Sequence, residues 1–363
     1  MKHRCQPLLS VLTHPGMIAD LDLAGWDRLI RQSGRAGLLS PLALEVEARG
    51  LTEQLPEPIQ RHLTAARTLA ERQRRAVAWE ARKLDQALAP LRIPVVLLKG
   101  AAYALADLPP ARGRLFADID ILVPRSALGP VEAALRLHGW HGSHHSAYDQ
   151  RYYRQWMHEL PPLTHIRRQS QLDVHHNLLP ETARLKTRPD LMIEASQPLS
   201  SYGALRLPCL EDLVLHSATH LFHEGEWAHG IRDLADLDKV LRHGMSREGW
   251  WEGLLDRAKV LNLASPLALA LRYAHRLLAT PVPPDILSRS AGHMSRRSWP
   301  VRDALFLGGF STAHPTCRLP ASGLAEIMLY VRSHALRMPL RLLLPHLIYK
   351  AWQGMRGNPE APN

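Results

Sequence analysis

The chain has 363 residues, of which 46% are hydrophobic and 22% charged, and its 45 Lys and Arg against 34 Asp and Glu leave a formal net charge of +11. That balance excludes a wholly disordered chain. The basic surplus suits a polyanionic partner, such as nucleotide phosphates, nucleic acid or an acidic membrane, without choosing among them.

Cys5, Cys209 and Cys317 form no CxxC pair, so the spacing suggests neither a thiolate zinc site nor a disulfide framework, and a reducing compartment fits. The N-terminal apolar stretch is broken by Gln6-Pro7, His14-Pro15 and Asp20, unlike a signal peptide. With no apolar run of about 18 residues, no spanning helix is expected. A cytoplasmic protein of bacterial type is the expectation.

Residues 17–90 are rich in Leu, Ala, Arg and Glu and predict helices, the longest from Pro58 to Ala89, stopped by Arg92-Ile93-Pro94. Val95–Leu98 is a short β-branched run that predicts a buried strand. Gly100 breaks it, and Ala101–Ala106 opens a helix. Residues 109–113 (PPARG) predict a loop, and Phe116–Val123 a second strand. Ser126 is placed to cap a helix reaching His138, which Gly139 closes. "HELPPLTHI", "SQLDVHHNL" and Ser200–Leu207 predict further strands. From Cys209 the pattern turns helical. One helix opens at Leu210 and another spans 230–244 with Gly244 at its C-cap, followed by stretches at 247–261, 265–279 and 323–352. No repeat of fixed period is present. The expected class is α+β: a helical N-terminal region (1–90), a small mixed-sheet core (91–208) and a helical C-terminal half (209–363).

"LFADIDILVP" sets Asp118 and Asp120 inside an apolar strand. Residues two apart on a strand share a face, and two carboxylates that close repel unless a cation neutralises them. Mg²⁺ does this well, often bridging one or two carboxylates and substrate phosphates. A third acid belongs on a neighbouring strand, and Asp173 in "QLDVHH" supplies it. Upstream, Lys99-Gly100 lies between a strand and a helix, where backbone N–H groups can hold a phosphate. Lys99 is alternatively a solvated strand-end lysine, and Arg114 alternatively a surface arginine paired with Asp107. His175 shares a strand face with Asp173, His176 points away, and His158 belongs to an adjacent strand.

Leu98-Lys99-Gly100, then Arg114 four residues before Asp118-Ile119-Asp120-Ile121-Leu122-Val123, then Asp173-Val174-His175, resemble an uncharacterised bacterial nucleotidyltransferase family of the DNA polymerase beta-like nucleotidyltransferase superfold. The resemblance continues into a helix bearing His216 and His220 and a following "IRDLADL" around Asp233, covering about residues 95–240. It departs in two places: Ala101 stands where Gly or Ser is usual, and an Arg-bearing insertion lengthens the gap from Gly100 to Asp118. The resemblance implies transfer of NMP from an NTP, expected to be ATP, to a hydroxyl or phosphate of an unidentified acceptor, a small molecule, peptide or protein. It implies two Mg²⁺ or Mn²⁺ ions held by Asp118, Asp120 and Asp173 as catalytic residues, with Asp173 helping to deprotonate the acceptor. Lys99, Gly100, Ala101, Arg114, His175, His216 and His220 are then the nucleotide-binding residues. Two alternatives stay open: a catalytically weak nucleotide- or partner-binding member, motivated by Ala101, and an RNA-directed transferase or binder, motivated by the charge.

Asp212, His216, His220 and His223 fall on one helix face. A hydrogen-bonded or nucleotide-facing cluster is favoured over a zinc site, since neither HExxH nor a His-Asp dipeptide occurs. Asp233 is a possible acceptor for these histidines. "HGWHGSHH" (138–145) reads as a polar loop. The basic, apolar stretch 332–352 packs on the helical half or, alternatively, lies on an acidic membrane surface.

Overall fold

A computed structural model describes residues 7–142, 156–223, 225 and 227–339. Four helices come first: α1 (Leu8–Thr13), α2 (Leu23–Ala36), α3 (Leu39–Ala48) and the long α4 (Glu57–Leu88). The apolar positions of α4 recur every three, four or seven residues, and they are the ones it buries: Ile59, Leu63, Ala70, Val77, Ala81, Leu84 and Leu88. At its end Asp85 accepts hydrogen bonds from the amides of Gly203, Ala204 and Leu205 at 2.9, 2.7 and 3.2 Å. The helix thereby fixes a strand more than a hundred residues away.

The sheet combines β1 (Val95–Leu97), β2 (Asp118–Leu122), β3 (Trp140–Gly142), β4 (Leu163–His165), β5 (Gln171–His175), β6 (Gln197–Pro198) and β7 (Leu205–Leu207). Their spatial order is β3-β4-β5-β2-β1-β7-β6. β1 runs antiparallel to β2, whereas β2 and β5 are parallel, with Asp118 opposite Gln171, Asp120 opposite Asp173 and Leu122 opposite His175. α5 (Lys99–Leu105), α6 (Leu128–Leu137) and α7 (Pro189–Ala195) connect the strands.

The remaining helices are α8 (Leu210–His223), α9 (Gly230–Gly244), α10 (Trp250–Val260), α11 (Ala264–Leu278), α12 (Pro284–Ser290), α13 (Trp299–Phe310) and α14 (Ser322–Arg337). The first and last parts of the chain share one apolar core that includes Leu8, Leu84, Ile121, Phe222 and Leu329. The mixed sheet within a largely helical chain is the expected α+β class. Among the described residues no helix is long and apolar enough to cross a membrane.

Several local expectations are corrected. α5 starts at Lys99, two residues early, so Gly100 lies in its first turn. Ser126 caps nothing: it sits in a 3₁₀ turn, and α6 begins at Leu128 with Ala127 as its N-cap. Gly244 ends α9 rather than following it, and its lack of a side chain is required by Trp250, whose ring stands where a Cβ would be. "HGWHGSHH" is not simply a loop, because Trp140–Gly142 forms edge strand β3, held by the buried Trp140 ring against His165 at 5.1 Å. Residues 143–145 of that stretch, and 340–352 of the basic C-terminal stretch, lie outside the described residues.

Candidate active site

Strand alternation decides what β2 shows to each side. Ile119 and Ile121 are buried in the core, and Asp118 and Asp120 project from the opposite face. The parallel pairing with β5 brings Asp173 beside Asp120. One oxygen from each of Asp118, Asp120 and Asp173 lies within 4.8 Å of the others. Three hard carboxylate oxygens at this spacing suit Mg²⁺ or Mn²⁺, so the residues fit the metal that the sequence leads one to expect.

Two basic side chains converge on the central acid. The Lys99 Nζ is 3.4 Å from Asp120 Oδ1, and His175 Nε2 lies 3.0 Å from the same oxygen. Lys99 adopts a left-handed backbone, φ +41°, which costs a non-glycine residue about 1 kcal/mol or more. The strained residue at this corner is therefore Lys99, not Gly100. Gly100 is needed for close approach instead: a Cβ there would stand 2.9 Å from the Phe116 ring and 3.4 Å from Arg114 Nε. Ala101 is buried, so its methyl group packs in the core.

These contacts separate the three acids. Burial pushes the Asp120 carboxyl up, but Lys99 and the hydrogen bond from His175 outweigh it and hold it well below the usual carboxylate range. Loss of solvent in the cleft, then the Asp120 charge, push Asp118 up. Burial, followed by the charges of Asp120 and Glu159, pushes Asp173 up to about 7. Below that pH a cation binding here must displace the Asp173 proton. Mg²⁺ affinity is therefore expected to rise about tenfold per unit as pH climbs toward 7 and to level off above it. Calorimetric titration with MgCl₂ from pH 5.5 to 8.5 checks this, and a flat profile contradicts it.

Asp118 and Asp120 open into a cleft of about 330 Å³ whose lining also includes Lys99, Gly100, Arg114, Phe116, His220 and Arg232. The inserted loop that carries Arg114 is tied down on three sides. Gly113, at φ +79°, passes so close to Ser40 and Pro41 that a Cβ would meet the Pro41 nitrogen at 2.8 Å. The Phe116 amide donates to Gln73 Oε1 at 2.8 Å. The Arg114 guanidinium, mostly buried, reaches Asp233 Oδ1 at 3.9 Å and makes its closest contact with Asp236 Oδ2. The expected alternative partner Asp107 pairs with Arg74 at 3.3 Å. Asp233 also accepts from Arg232 Nε at 2.9 Å. It is thus tied to arginines.

The four polar residues on one face of α8 have different surroundings. Asp212 is fully buried and takes both arms of Arg257 at 2.7 and 2.8 Å. His216 is buried beneath the cleft rather than lining it, with no hydrogen-bond partner on Nδ1. Burial, then the Lys99 charge, hold its imidazole well below the usual value. His220 lines the cleft. His223, at the end of the helix, lies near Arg332 of α14, with Nδ1 3.2 Å from the Thr219 carbonyl. Among the described residues no metal-type cluster joins His216, His220 and His223.

Burial, then Arg332, push His223 down to about 4. Its unfolded-state value is about 6.5. Its contribution to stability is therefore intact above pH 6.5 and lost as pH falls toward 4, since the unfolded chain takes up the proton first. Over that window the wild type is expected to lose about 3 kcal/mol relative to a His223→Phe variant. Urea unfolding of both proteins across the range measures the difference, and parallel profiles contradict the assignment.

Sequence reasoning missed Glu159, Arg232, His229 and Asp236 as neighbours of the site. Glu159 Oε2 is 3.3 Å from His175 Nδ1. The His-Glu dipeptide beside a strand-like run was its only signal. The other three lie on or before α9 and line the cleft; nothing local in "HGIRDLAD" marks which of its charges face inward.

The family described as an uncharacterised nucleotidyltransferase matches residues 22–279. The match extends well beyond the motif-bearing stretch, taking in α2 to α4 on one side and α10 and α11 on the other. No curated protein and no solved structure matches the chain.

Proposed function

Because the chain belongs to this nucleotidyltransferase family, we propose that it transfers an NMP group from an NTP, with Mg²⁺ or Mn²⁺, to a hydroxyl or phosphate of a further substrate. The observation that carries the reading is the register of β2 and β5, which sets Asp120 beside Asp173 with Asp118 on the same face. In this reading the three acids hold the metal. Metal bound there supplies neutralisation of the triphosphate and of charge on the attacking and leaving oxygens. An acceptor oxygen forms a bond to the α-phosphorus, the bond from that phosphorus to the β-bridging oxygen breaks, and pyrophosphate leaves. Asp173, set beside Asp120 by the strand register, is the carboxylate that takes the acceptor proton. Lys99 and His175 keep Asp120 ionised throughout. His220, Arg232 and the Phe116 ring line the space for the nucleotide.

The charge of the cleft supports a metal–nucleotide complex over a free nucleotide. Its lining sets Asp118, Asp120, Asp233 and Asp236 against Lys99, Arg114 and Arg232, and Arg114 is already committed to Asp233 and Asp236. A free triphosphate therefore meets no surplus of positive charge. NTP binding is expected only with divalent cation present. Binding of a fluorescent NTP, with MgCl₂ and with chelator, to wild type and to an Asp118→Ala/Asp120→Ala variant tests this. Incubation of labelled NTPs with candidate acceptors follows transfer. Equal binding by the two proteins refutes the reading.

A second reading, binding without turnover, is favoured by one contact: Asp120 Oδ1 already receives both Lys99 and His175. Metal-dependent NTP binding with no transfer across a broad acceptor panel supports it.

A further inference from the structure

We propose that His158, Glu159 and His175 form a second metal site, for Zn²⁺ or a similar first-row ion, on the far side of His175 from Asp120. The assignment stands on side chains outside the carboxylate triad and does not depend on the transfer reaction. The segment that carries His158 and Glu159 is zipped onto β5. The Leu160 amide donates to the Val174 carbonyl at 2.9 Å, and the amides of His176 and Asn177 donate to the His158 carbonyl at 2.8 and 3.2 Å. Glu159 and His175 stand opposite each other as an antiparallel bridge pair. The backbone thus brings three potential ligands to one point.

Their side chains converge. Glu159 Oε2 lies 3.3 Å from His175 Nδ1 and 3.9 Å from His158 Nε2, and the two imidazole centroids are 5.3 Å apart. One ligand atom from each residue falls within 4.8 Å of the others. With zinc–ligand bonds of about 2.0–2.1 Å, tetrahedral ligand atoms sit about 3.3–3.4 Å apart. The Glu159–His175 separation already has that value, and His158 needs only a small inward movement. Two imidazole nitrogens and one carboxylate favour zinc-like ions over Mg²⁺. Three protein ligands leave a position for water. The side chains are 12%, 18% and 6% exposed, so the point is sheltered but reachable.

The other nitrogen of His175 adds an independent observation. Nε2 is 3.0 Å from Asp120 Oδ1, so an ion on Nδ1 completes a carboxylate–histidine–metal chain of the kind that orients metal-ligating histidines. A metal on Nδ1 fixes the tautomer that carries a proton on Nε2 and holds the bond to Asp120. His175 then couples the two sites as a positioning residue.

The test uses the full chain, stripped with chelator and titrated with ZnCl₂ alone in magnesium-free buffer. One equivalent of zinc is expected to bind at this site, and any further equivalent held by the carboxylate triad is expected to be lost in Asp118→Asn. His158→Ala and Glu159→Gln are each expected to weaken binding at this site at least tenfold, with circular dichroism verifying that they fold. Asp118→Asn is expected to leave it within about threefold. X-ray absorption on the zinc-loaded wild type, which needs no variant, is expected to show imidazole scattering. Absence of zinc binding, an all-oxygen shell, or loss of all zinc in Asp118→Asn with retention in His158→Ala overturns the assignment; the last result places the ion in the carboxylate triad instead.

Discussion

Replacing Asp120 with asparagine is expected to lower the rate of NMP transfer by about three orders of magnitude, comparable to or larger than the loss of one preorganised electrostatic contact in other enzymes. The substitution keeps the shape and removes the carboxylate of the triad that Lys99 and His175 hold furthest toward its ionised form. Asp118 and Asp173 are both pushed toward their protonated forms, with the Asp120 charge among the causes. In the variant that cause disappears, and the Asp173 carboxyl falls. The His175 imidazole, held up by its hydrogen bond to Asp120 and by Glu159 against the effect of burial, falls as well. Two readouts follow: kcat at saturating metal–NTP, and the His175 ring titration by NMR. A variant with wild-type kcat removes Asp120 from the reaction. An unchanged His175 titration contradicts the charge arrangement described above.

Arg114→Ala is expected to destabilise the fold by about 3–5 kcal/mol, the range for removing one partner from a buried ion pair. Arg114 is 13% exposed, and Asp236, its closest partner, is 7% exposed. Truncation leaves Asp236 and Asp233 facing each other's charge in a sheltered cleft, with Arg232 still bonded to Asp233. Adding Asp236→Asn to Arg114→Ala removes much of the stranded charge, so the double variant is expected to recover part of the loss. Denaturant unfolding of the four proteins of the cycle measures the coupling. A loss below about 1 kcal/mol, the level of an exposed pair, contradicts the assignment. Arg114, expected among the nucleotide-binding residues, lines the cleft and at the same time braces the loop before β2 against helix α9.

How far the sequence reveals these features depends on the range of the interaction. Two acids inside the apolar strand of β2 are legible because burial and strand period act over a few residues. The apolar–acid–apolar pattern of Asp173 marks a second strand in the same way. Their adjacency in register is not local information, because it depends on which of seven strands pair and in which direction. The same limit hides Glu159 and Asp236, whose roles come from partners 16 and 122 residues away, His175 and Arg114. Local signals mislead where tertiary packing overrules them. Ser126 has capping chemistry, but the chain makes a 3₁₀ turn there. Gly244 looks like a helix stop, but is glycine because Trp250 occupies the space beside it.

The in-register pairing of β2 with β5 also bears on how faithfully the chain folds. A slip of one residue in β5 turns its pleat over. Leu172 and Val174, now buried, would be turned out to the cleft. Asp173 would be driven among the core side chains as an isolated charge, which costs several kcal/mol. The mismatched sheet is therefore penalised on both faces at once. The acids proposed for chemistry thus also act as a checkpoint for assembly, because the pairing that seats them correctly is the one the chain can close without trapping a charge.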